Sequence, residues 1–309
     1  MGTPSGPSLI HQALLYQDAQ EFLAAVLPFI RGGLDRDEPV LAVTTDVNSK
    51  MLRSELGPAS DDVQFVDPVR WYDAPGRTLA ACHRYVQERR DGHDRVRVVG
   101  EPVWAGWNAL ETAGWKRFEA SLNLAFAAAP AWMICSYDQR TLPPEVVADA
   151  RRTHPELSGG RQSAEYADPT GFCAEMQTDL PPPPDGRFLR TVFDGDPAPV
   201  RRFVSSHAAR LGLPPRRLDD LVIAVNEVTT NAIRHGAGYG QARMWCDERY
   251  VLCEVFDSGQ ARNGLMGYLP PNPDSEGGHG LWITRQLCDL VEVRTAPSGT
   301  TVRLYIRAD

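Results

Sequence analysis

The stretch Glu227-Val-Thr-Thr-Asn231-Ala-Ile-Arg234-His235-Gly236 decides how the second half of this chain folds. Apolar residues at Leu218, Leu221, Val222, Ala224, Val225, Val228, Ala232 and Ile233 run into and through it at helical spacing, so one stripe of a helix faces a core. Side chains at i, i+4 and i+7 stack on the same side of a helix, which puts Glu227, Asn231 and Arg234 on one face. A carboxylate and a carboxamide four residues apart can reach a hydrated Mg²⁺ and an attacking hydroxyl at once. Arg234 is then placed to meet a phosphate oxygen. His235-Gly236 reads as the helix end, where an imidazole near the last carbonyls and a following glycine are both favoured.

Two later segments complete the pattern. Asp257 ends the strand-like run Val251-Leu-Cys-Glu-Val-Phe256 and can accept a hydrogen bond from an amino group such as that of adenine, while Gly259 lets a flat ring approach the backbone. The turn Gly277-Gly278-His279-Gly280 precedes a helix from Leu281 to Leu287 and offers backbone N–H groups to a polyphosphate. Each piece alone is common: Asp-x-Gly most often marks a tight turn, and a lone helical glutamate is usually solvated. In this order, with a helix, a hairpin, a glycine loop and a second helix between them, they describe a nucleotide site.

The order Glu227/Asn231, Asp257-x-Gly259, Gly278-x-Gly280 and Gly299-Thr300-Thr-Val302 resembles the GHKL ATP-binding domain shared by gyrase, heat-shock chaperones, histidine kinases and MutL. It is most similar to the anti-sigma factor serine/threonine kinases of sporulation and general stress systems. The resemblance implies ATP and Mg²⁺ as cofactors, Glu227 as general base, Asn231 as the Mg²⁺ ligand, Asp257 as the adenine reader and Thr300 as a helper beside it. Gly278, His279, Gly280 and Leu281 would form part of a lid over the phosphates. The implied activity is that of a regulatory anti-sigma factor that sequesters a sigma factor and phosphorylates an anti-anti-sigma antagonist of the STAS type. The alternative is a non-catalytic ATP-binding scaffold that holds either partner without phosphoryl transfer. Two departures stand out: Ala261 where the family often has a second glycine, and Pro270, Pro271 and Pro273 within a lid running from Arg262 to Glu276. Both bear on lid geometry and turnover more than on nucleotide binding.

The first half reads differently. Val40 to Thr45, Val63 to Val66, Val96 to Val99 and Trp132 to Ser136 are short, apolar and β-branched, as buried parallel strands tend to be. Helical patterns alternate with them over Ala19 to Arg31, Asn48 to Glu55, Arg77 to Arg90 and Ala109 to Ala128, which argues for a doubly wound α/β domain with a mainly parallel sheet. No phosphate loop of either common type follows its strands. Ligands of such sheets sit beyond the carboxyl ends of the strands, which singles out Glu101, Trp104 and Asp138, with Trp71, Tyr72, Trp107 and Trp115 as further aromatic lining of a sensory pocket. The competing reading makes the aromatics core and pairs Glu101 with an arginine. His11, Glu21-Phe22, Asp46, Gly100-Glu101-Pro102 and Glu119 with Asn123 are similar to the general pattern of the MEDS sensory domain of methanogen and methylotroph regulators, which implies sensing of a small molecule without chemistry.

The expected plan is therefore residues 1–157 as an α/β sensory domain, 158–186 as a Pro- and Gly-rich linker ending in Pro181-Pro-Pro-Pro184, and 187–309 as an α+β two-layer sandwich of the GHKL type. A length of 309 residues suits two domains. The net charge of -8, with both signs interspersed, gives no broad footprint for nucleic acid or anionic membrane, so direct DNA binding is not expected. The longest apolar run, Leu122 to Cys135, is broken by Asn123 and Pro130 and is too short for a bilayer. Six cysteines without a C-x-x-C pair read as reduced buried thiols, and with no secretory leader pattern at the start the expected location is cytoplasmic. Cys246 and Cys253, on the arms of one hairpin, are placed to face each other, though packing is the better reading. His154 with Glu156 reads as a solvated loop pair. The resemblance adds an expected homodimer.

Overall fold

The structure, a computed structural model, describes residues 8–177, 179–260, 267–271 and 278–308. The chain divides into two compact units, the first made of the chain up to Asp73 and Thr78–Phe172, the second of Ala74–Arg77 and the chain from Cys173 on.

The first unit is a mainly parallel α/β sheet. Its strands are β1 (Ile10–Tyr16), β2 (Val40–Val43), β3 (Val63–Val66), β4 (Val96–Gly100), β5 (Ala131–Asp138), β6 (Glu156–Leu157) and β7 (Arg161–Gln162), in the spatial order β3-β2-β4-β5-β1-β6-β7. Pairing is parallel except between β6 and β7. The connections carry α1 (Ala19–Leu34), α2 (Asp46–Leu56), α3 (Pro68–Trp71), α4 (Pro75–Arg89), α5 (Ala109–Ala125), α6 (Pro144–Thr153) and, beyond β7, α7 (Pro169–Glu175). Every residue of β2 and β4 is buried, as strands covered on both faces must be. The helices start where short polar side chains meet the free N–H groups of a first turn. Asp18 accepts from the Glu21 amide at 2.9 Å, and Asn108 and Glu111 form a reciprocal capping box. Phe22, Val26 and Ile30 of α1 then reach Leu14, Val40, Val99 and Ile134 in one core.

The most important strand of this sheet is the one the apolar pattern does not announce. β1 lies between β5 and β6, yet its sequence Ile-His-Gln-Ala-Leu-Leu-Tyr carries two polar residues in a row at buried positions. Both are satisfied: Gln12 donates to Glu156 at 2.8 Å and accepts from Trp132 Nε1 at 3.0 Å, and His11 meets Asn123 at 3.0 Å.

The second unit is a five-stranded sheet with helices against it. β8 (Leu189–Asp194), β9 (Tyr239–Cys246), β10 (Tyr250–Asp257), β11 (Leu290–Ala296) and β12 (Gly299–Arg307) lie in the order β11-β12-β10-β9-β8. All of these pairs are antiparallel. α8 (Ala198–His207), α9 (Pro215–His235) and α10 (His279–Leu287) supply the helical layer. Pro215 sits in the first turn of α9, where a missing N–H costs nothing, and the helix buries Leu221, Ala224, Val225, Val228 and Ala232. Those side chains pack with Val200 and Val204 of α8 and with Val251, Cys253, Val255, Val302, Leu304 and Ile306 of the sheet. Val251, Cys253 and Val255 of β10 thus share the face turned to α9. Its other face carries Glu254, paired with Arg303 of β12 across the ladder.

Cys246 and Cys253 are not opposite each other. Cys253 pairs with Met244, and Cys246 with Val251, so the two are out of register, and both are free thiols with Cys246 exposed and Cys253 buried.

Candidate functional site

The helix α9 carries the first group of expected residues along its length. Glu227 and Asn231 are half-buried and Arg234 is exposed. Gly280, in the first turn of α10, backs directly onto them. A methyl group at Gly280 would stand 3.0 Å from Glu227 Oε2 and 3.1 Å from Asn231 Nδ2, so a side chain at this position would crowd the acid–amide pair against which the α10 backbone now lies. Asn226 helps set the acid: it donates to Glu227 Oε1 at 3.4 Å and accepts from Arg201 at 2.7 Å. Gly278 precedes α10 in the left-handed conformation, φ 90°, and the amides of His279, Gly280 and Leu281 follow in the helix's first turn, where N–H groups lack helical acceptors.

A second group meets at the end of β10. Asp257 is buried, and its Oδ1 accepts from Gly259 N at 2.7 Å and Ala237 N at 3.2 Å. Thr300 lies opposite Asp257 in the ladder and donates from Oγ1 to Gly259 O at 2.9 Å. Gly236 and Gly259 crowd the carboxylate, and Gly299 lies against the Asp257 backbone. A Cβ on Gly236 would meet Asp257 Oδ1 at 2.2 Å, one on Gly259 would meet Gly236 Cα at 2.5 Å, and one on Gly299, φ 140°, would meet Asp257 O at 2.1 Å. Asp257, Gly259 and Thr300 are therefore brought together, as the sequence suggested. Gly236 was read only as a helix end and Gly299 only as part of a closing motif. Their contact role depends on where α9 meets β10 and β12, which no local pattern encodes.

Most of the expected lid, including Ala261, Pro273 and Gly277, lies outside the described residues. Its described part, residues 267–271, meets α10: a Cβ on Gly267 would touch the Leu281 backbone at 2.7 Å, and Tyr268 is buried with the Arg285 guanidinium 3.8 Å from its ring centroid.

In the first unit, Glu101 and Asp138 lie at the carboxyl edge of the sheet. Glu101 is buried and both of its oxygens are engaged. Oε1 accepts from Tyr16 Oη and Asn48 Nδ2, each at 2.8 Å, and Oε2 accepts from Thr44 Oγ1 at 2.6 Å and Thr45 N at 2.9 Å. These partners are hydroxyls and amides, where an arginine was the competing expectation. Burial, then the neighbouring Glu101 carboxylate, raises the Tyr16 phenol well above its usual range. Asp138 is held by Arg140 through two side-chain bonds of 2.7 and 2.9 Å, which lowers its pKa. Trp104 is buried with its Nε1–H unpartnered. The aromatics join a chain of rings in which Trp107 stacks on Trp115 at 4.8 Å and Tyr72 meets Trp115 edge-on at 5.5 Å.

His154 is not a solvated loop residue. It is fully buried at the C-cap of α6 beside His11, Glu119 and Cys135. Burial, then His11, holds the His154 imidazole well below its usual range, and burial, then Glu119, pushes the Cys135 thiol up.

The arrangement in the second unit is one a nucleotide-binding domain would present, and comparison with known proteins agrees. Residues 195–306 match the family model of the histidine kinase-like ATPase domain, and residues 10–155 match that of MEDS, the methanogen/methylotroph, DcmR sensory domain. Among curated proteins, a serine-protein kinase RsbW from Bacillus velezensis is 34% identical over 119 residues, covering 34% of this chain and 74% of the relative. The RsbW of Bacillus subtilis is 32% identical over 119 residues with the same coverage. The chain belongs to the RsbW family of GHKL-type kinases, with a MEDS domain preceding the ATPase domain. A crystal structure of RsbU and RsbW domains from Mycobacterium tuberculosis is 21% identical with a TM-score of 0.31, covering 39% of this chain and 31% of that one. No helix among the described residues is long and apolar enough to cross a membrane.

Proposed function

We propose that this protein is a cytoplasmic regulatory anti-sigma factor with ATP-dependent protein serine/threonine kinase activity. It sequesters a sigma factor, phosphorylates an antagonist of the STAS type, and answers to a small molecule taken up by a doubly wound sensory domain. The observation that carries the kinase reading is Gly280 seated against Glu227 and Asn231, because it sets the N-terminal turn of α10 beside an acid and an amide on one helix face.

The residues present fit Mg²⁺-ATP. Asn231 offers a neutral oxygen to the cation, the amides of His279, Gly280 and Leu281 face anionic oxygens, and Arg234 is free in solvent to reach a phosphate. When bound, the nucleotide supplies the phosphoryl group and its cation supplies charge neutralisation. Glu227 accepts the proton of the attacking serine or threonine hydroxyl. Asp257, already oriented by two backbone N–H groups, takes the amino group of the base, and Thr300 holds the Gly259 carbonyl so that the ring meets bare backbone. In the sensory unit the unpartnered Trp104 Nε1–H is a donor available to a ligand at the sheet edge that Glu101 and Asp138 share. A homodimer is part of this reading.

The test is transfer of label from ATP, with Mg²⁺, to candidate antagonists. Transfer that disappears in Glu227→Gln while nucleotide uptake persists supports the kinase. Uptake without transfer to any partner supports the non-catalytic scaffold, and no uptake at all sinks both.

A further inference from the structure

Outside the nucleotide site the first unit holds a cluster that none of the roles above uses. His11, Glu119, Cys135 and His154 each offer one ligand atom to a group in which all four atoms lie within 4.8 Å of one another, and all four residues are buried. They come from four elements: β1, α5, β5 and the end of α6. Cys135 Sγ is 3.4 Å from His11 Nε2, and Glu119 Oε2 is 3.7 Å from His11 Nε2 and 3.5 Å from His154 Nε2. Four donors at the corners of a tetrahedron with zinc–ligand bonds of ~2.0–2.3 Å stand roughly 3.3–3.8 Å apart, so these three separations already match a coordination shell and the others, up to 4.8 Å, need only a small inward shift.

The tautomers of the two imidazoles follow from their outer partners. His154 Nδ1 lies 2.8 Å from the Ala150 carbonyl, which can only accept, so Nδ1 donates. Asn123 Nδ2 donates to the carbonyls of Thr153 at 2.7 Å and Ala120 at 3.2 Å, which fixes the amide and turns its Oδ1 toward His11 Nδ1 at 3.0 Å. His11 Nδ1 therefore also donates. In the neutral rings both Nε2 atoms then carry lone pairs into the cluster, where they meet a carboxylate oxygen. Neither Glu119 Oε2 nor His154 Nε2 has a hydrogen-bond partner, although both are buried. Three acceptors aimed at one another in a dry site, against one thiol S–H, is an arrangement that a cation resolves. The outer hydrogen bonds from Nδ1 are those that orient metal-binding histidines, and the Tyr137 ring, 5.7 Å from His154, adds an apolar wall.

We propose that His11, Glu119, Cys135 and His154 bind a divalent transition-metal ion of the zinc class. Coordination forms four bonds from ligand lone pairs and breaks one, the Cys135 S–H, whose proton leaves to solvent with no change of oxidation state. The ion's two positive charges are then balanced by the Glu119 carboxylate and the Cys135 thiolate, so the filled site is neutral and its burial is no longer costly. The bound ion ties β1 to β5 and to the helices on either side of β5 in sequence.

The full chain, purified from zinc-supplemented cells in chelator-free buffer, is expected to carry stoichiometric zinc by elemental analysis. Cys135→Ser and His154→Gln, checked for fold by circular dichroism, are expected to lose most of it. The unmutated protein exchanged into cobalt is expected to show the thiolate-to-cobalt charge-transfer band and the strong visible absorption of a tetrahedral site, which keeps the test valid even where a variant misfolds. Zinc-free protein that also takes up no cobalt overturns the proposal. So does bound metal that folded Cys135→Ser and His154→Gln variants retain, or cobalt that gives no thiolate band.

Discussion

At Gly280 one missing methyl group separates two physical effects that usually travel together. Alanine is the better helix former by about 1 kcal/mol, so Gly280→Ala in α10 should leave thermal stability unchanged or raised. Its Cβ would nevertheless crowd Glu227 and Asn231 at 3.0 and 3.1 Å. Phosphoryl transfer, which tolerates displacement poorly, is expected to fall by about 10- to 100-fold. A variant that loses stability and transfer in step would contradict this. Glu101 offers the converse case, a carboxylate whose acceptor capacity is already filled. Glu101→Gln turns an NH₂ toward donors such as Tyr16 Oη or Thr44 Oγ1, and chemical denaturation should report a loss of about 1–3 kcal/mol. Thiol chemistry gives a third reading at this scale. Cys246 is the exposed cysteine, while burial pushes the Cys82 thiol up to about 12. Brief alkylation of the native protein at neutral pH, followed by peptide mass analysis, should mark Cys246 and leave Cys82 unmodified. The grouping of the candidate site residues was legible where their relation is local. Glu227, Asn231 and Arg234 share one helix face by spacing alone, and Asp257-x-Gly259 is a short turn. Gly236, Gly299 and His154 were not, because what each touches is set by elements far away in sequence.

Among the elements, the face of the second sheet away from α9 is ordered by charge. Glu254 on β10 receives two bonds from Arg303 on β12, and Arg243 on β9 stands 3.7 Å from its other oxygen. Glu254 and Arg303 are both buried, so removing one partner strands the other. Arg303→Met is expected to cost about 3–5 kcal/mol by denaturant unfolding, and Glu254→Gln made in the same background should recover part of that loss. Asp138 at the end of β5 gives the pH dependence. Its folded pKa is depressed by Arg140, so its contribution is present above the ordinary carboxylate value of about 3.9 and is lost as pH falls through the lowered folded value. The stability of Asp138→Asn should accordingly change less with acid than that of the parent below about pH 4. Strand patterns foretold β2, β3, β4 and β5 because those runs are predominantly apolar and β-branched, even with Gln64 in β3 and Arg97 in β4. β1 was hidden by His11 and Gln12, whose polarity signals a surface until their partners across the sheet are seen. The Cys246 and Cys253 register was likewise invisible, since it follows from where the hairpin turns at Asp247 and Arg249.

For the whole molecule the two units make separable demands on ligands. Adenine nucleotide at 100 times its Kd should stabilise the second unit by about 2.7 kcal/mol. Hydrogen exchange is expected to slow in α9, α10, β10 and β12, the elements that hold Glu227, Gly280, Asp257 and Thr300. Protection confined to other elements would place the nucleotide elsewhere. The broad division into an α/β half and an α+β half was readable from alternating periods.

The placement of β1 also governs how this protein is born. Ile10 pairs with Trp132, so β1 has no sheet neighbour among the described strands until β5 is made. At elongation rates of roughly 5–20 residues per second, that interval is roughly 6–24 s, during which Leu14 and Leu15 hang on an unpaired edge. Nascent β1 is therefore expected to bind holdase chaperones, and slowing translation before residue 132 should raise the aggregated fraction of newly made protein, as a pulse-chase solubility assay would read.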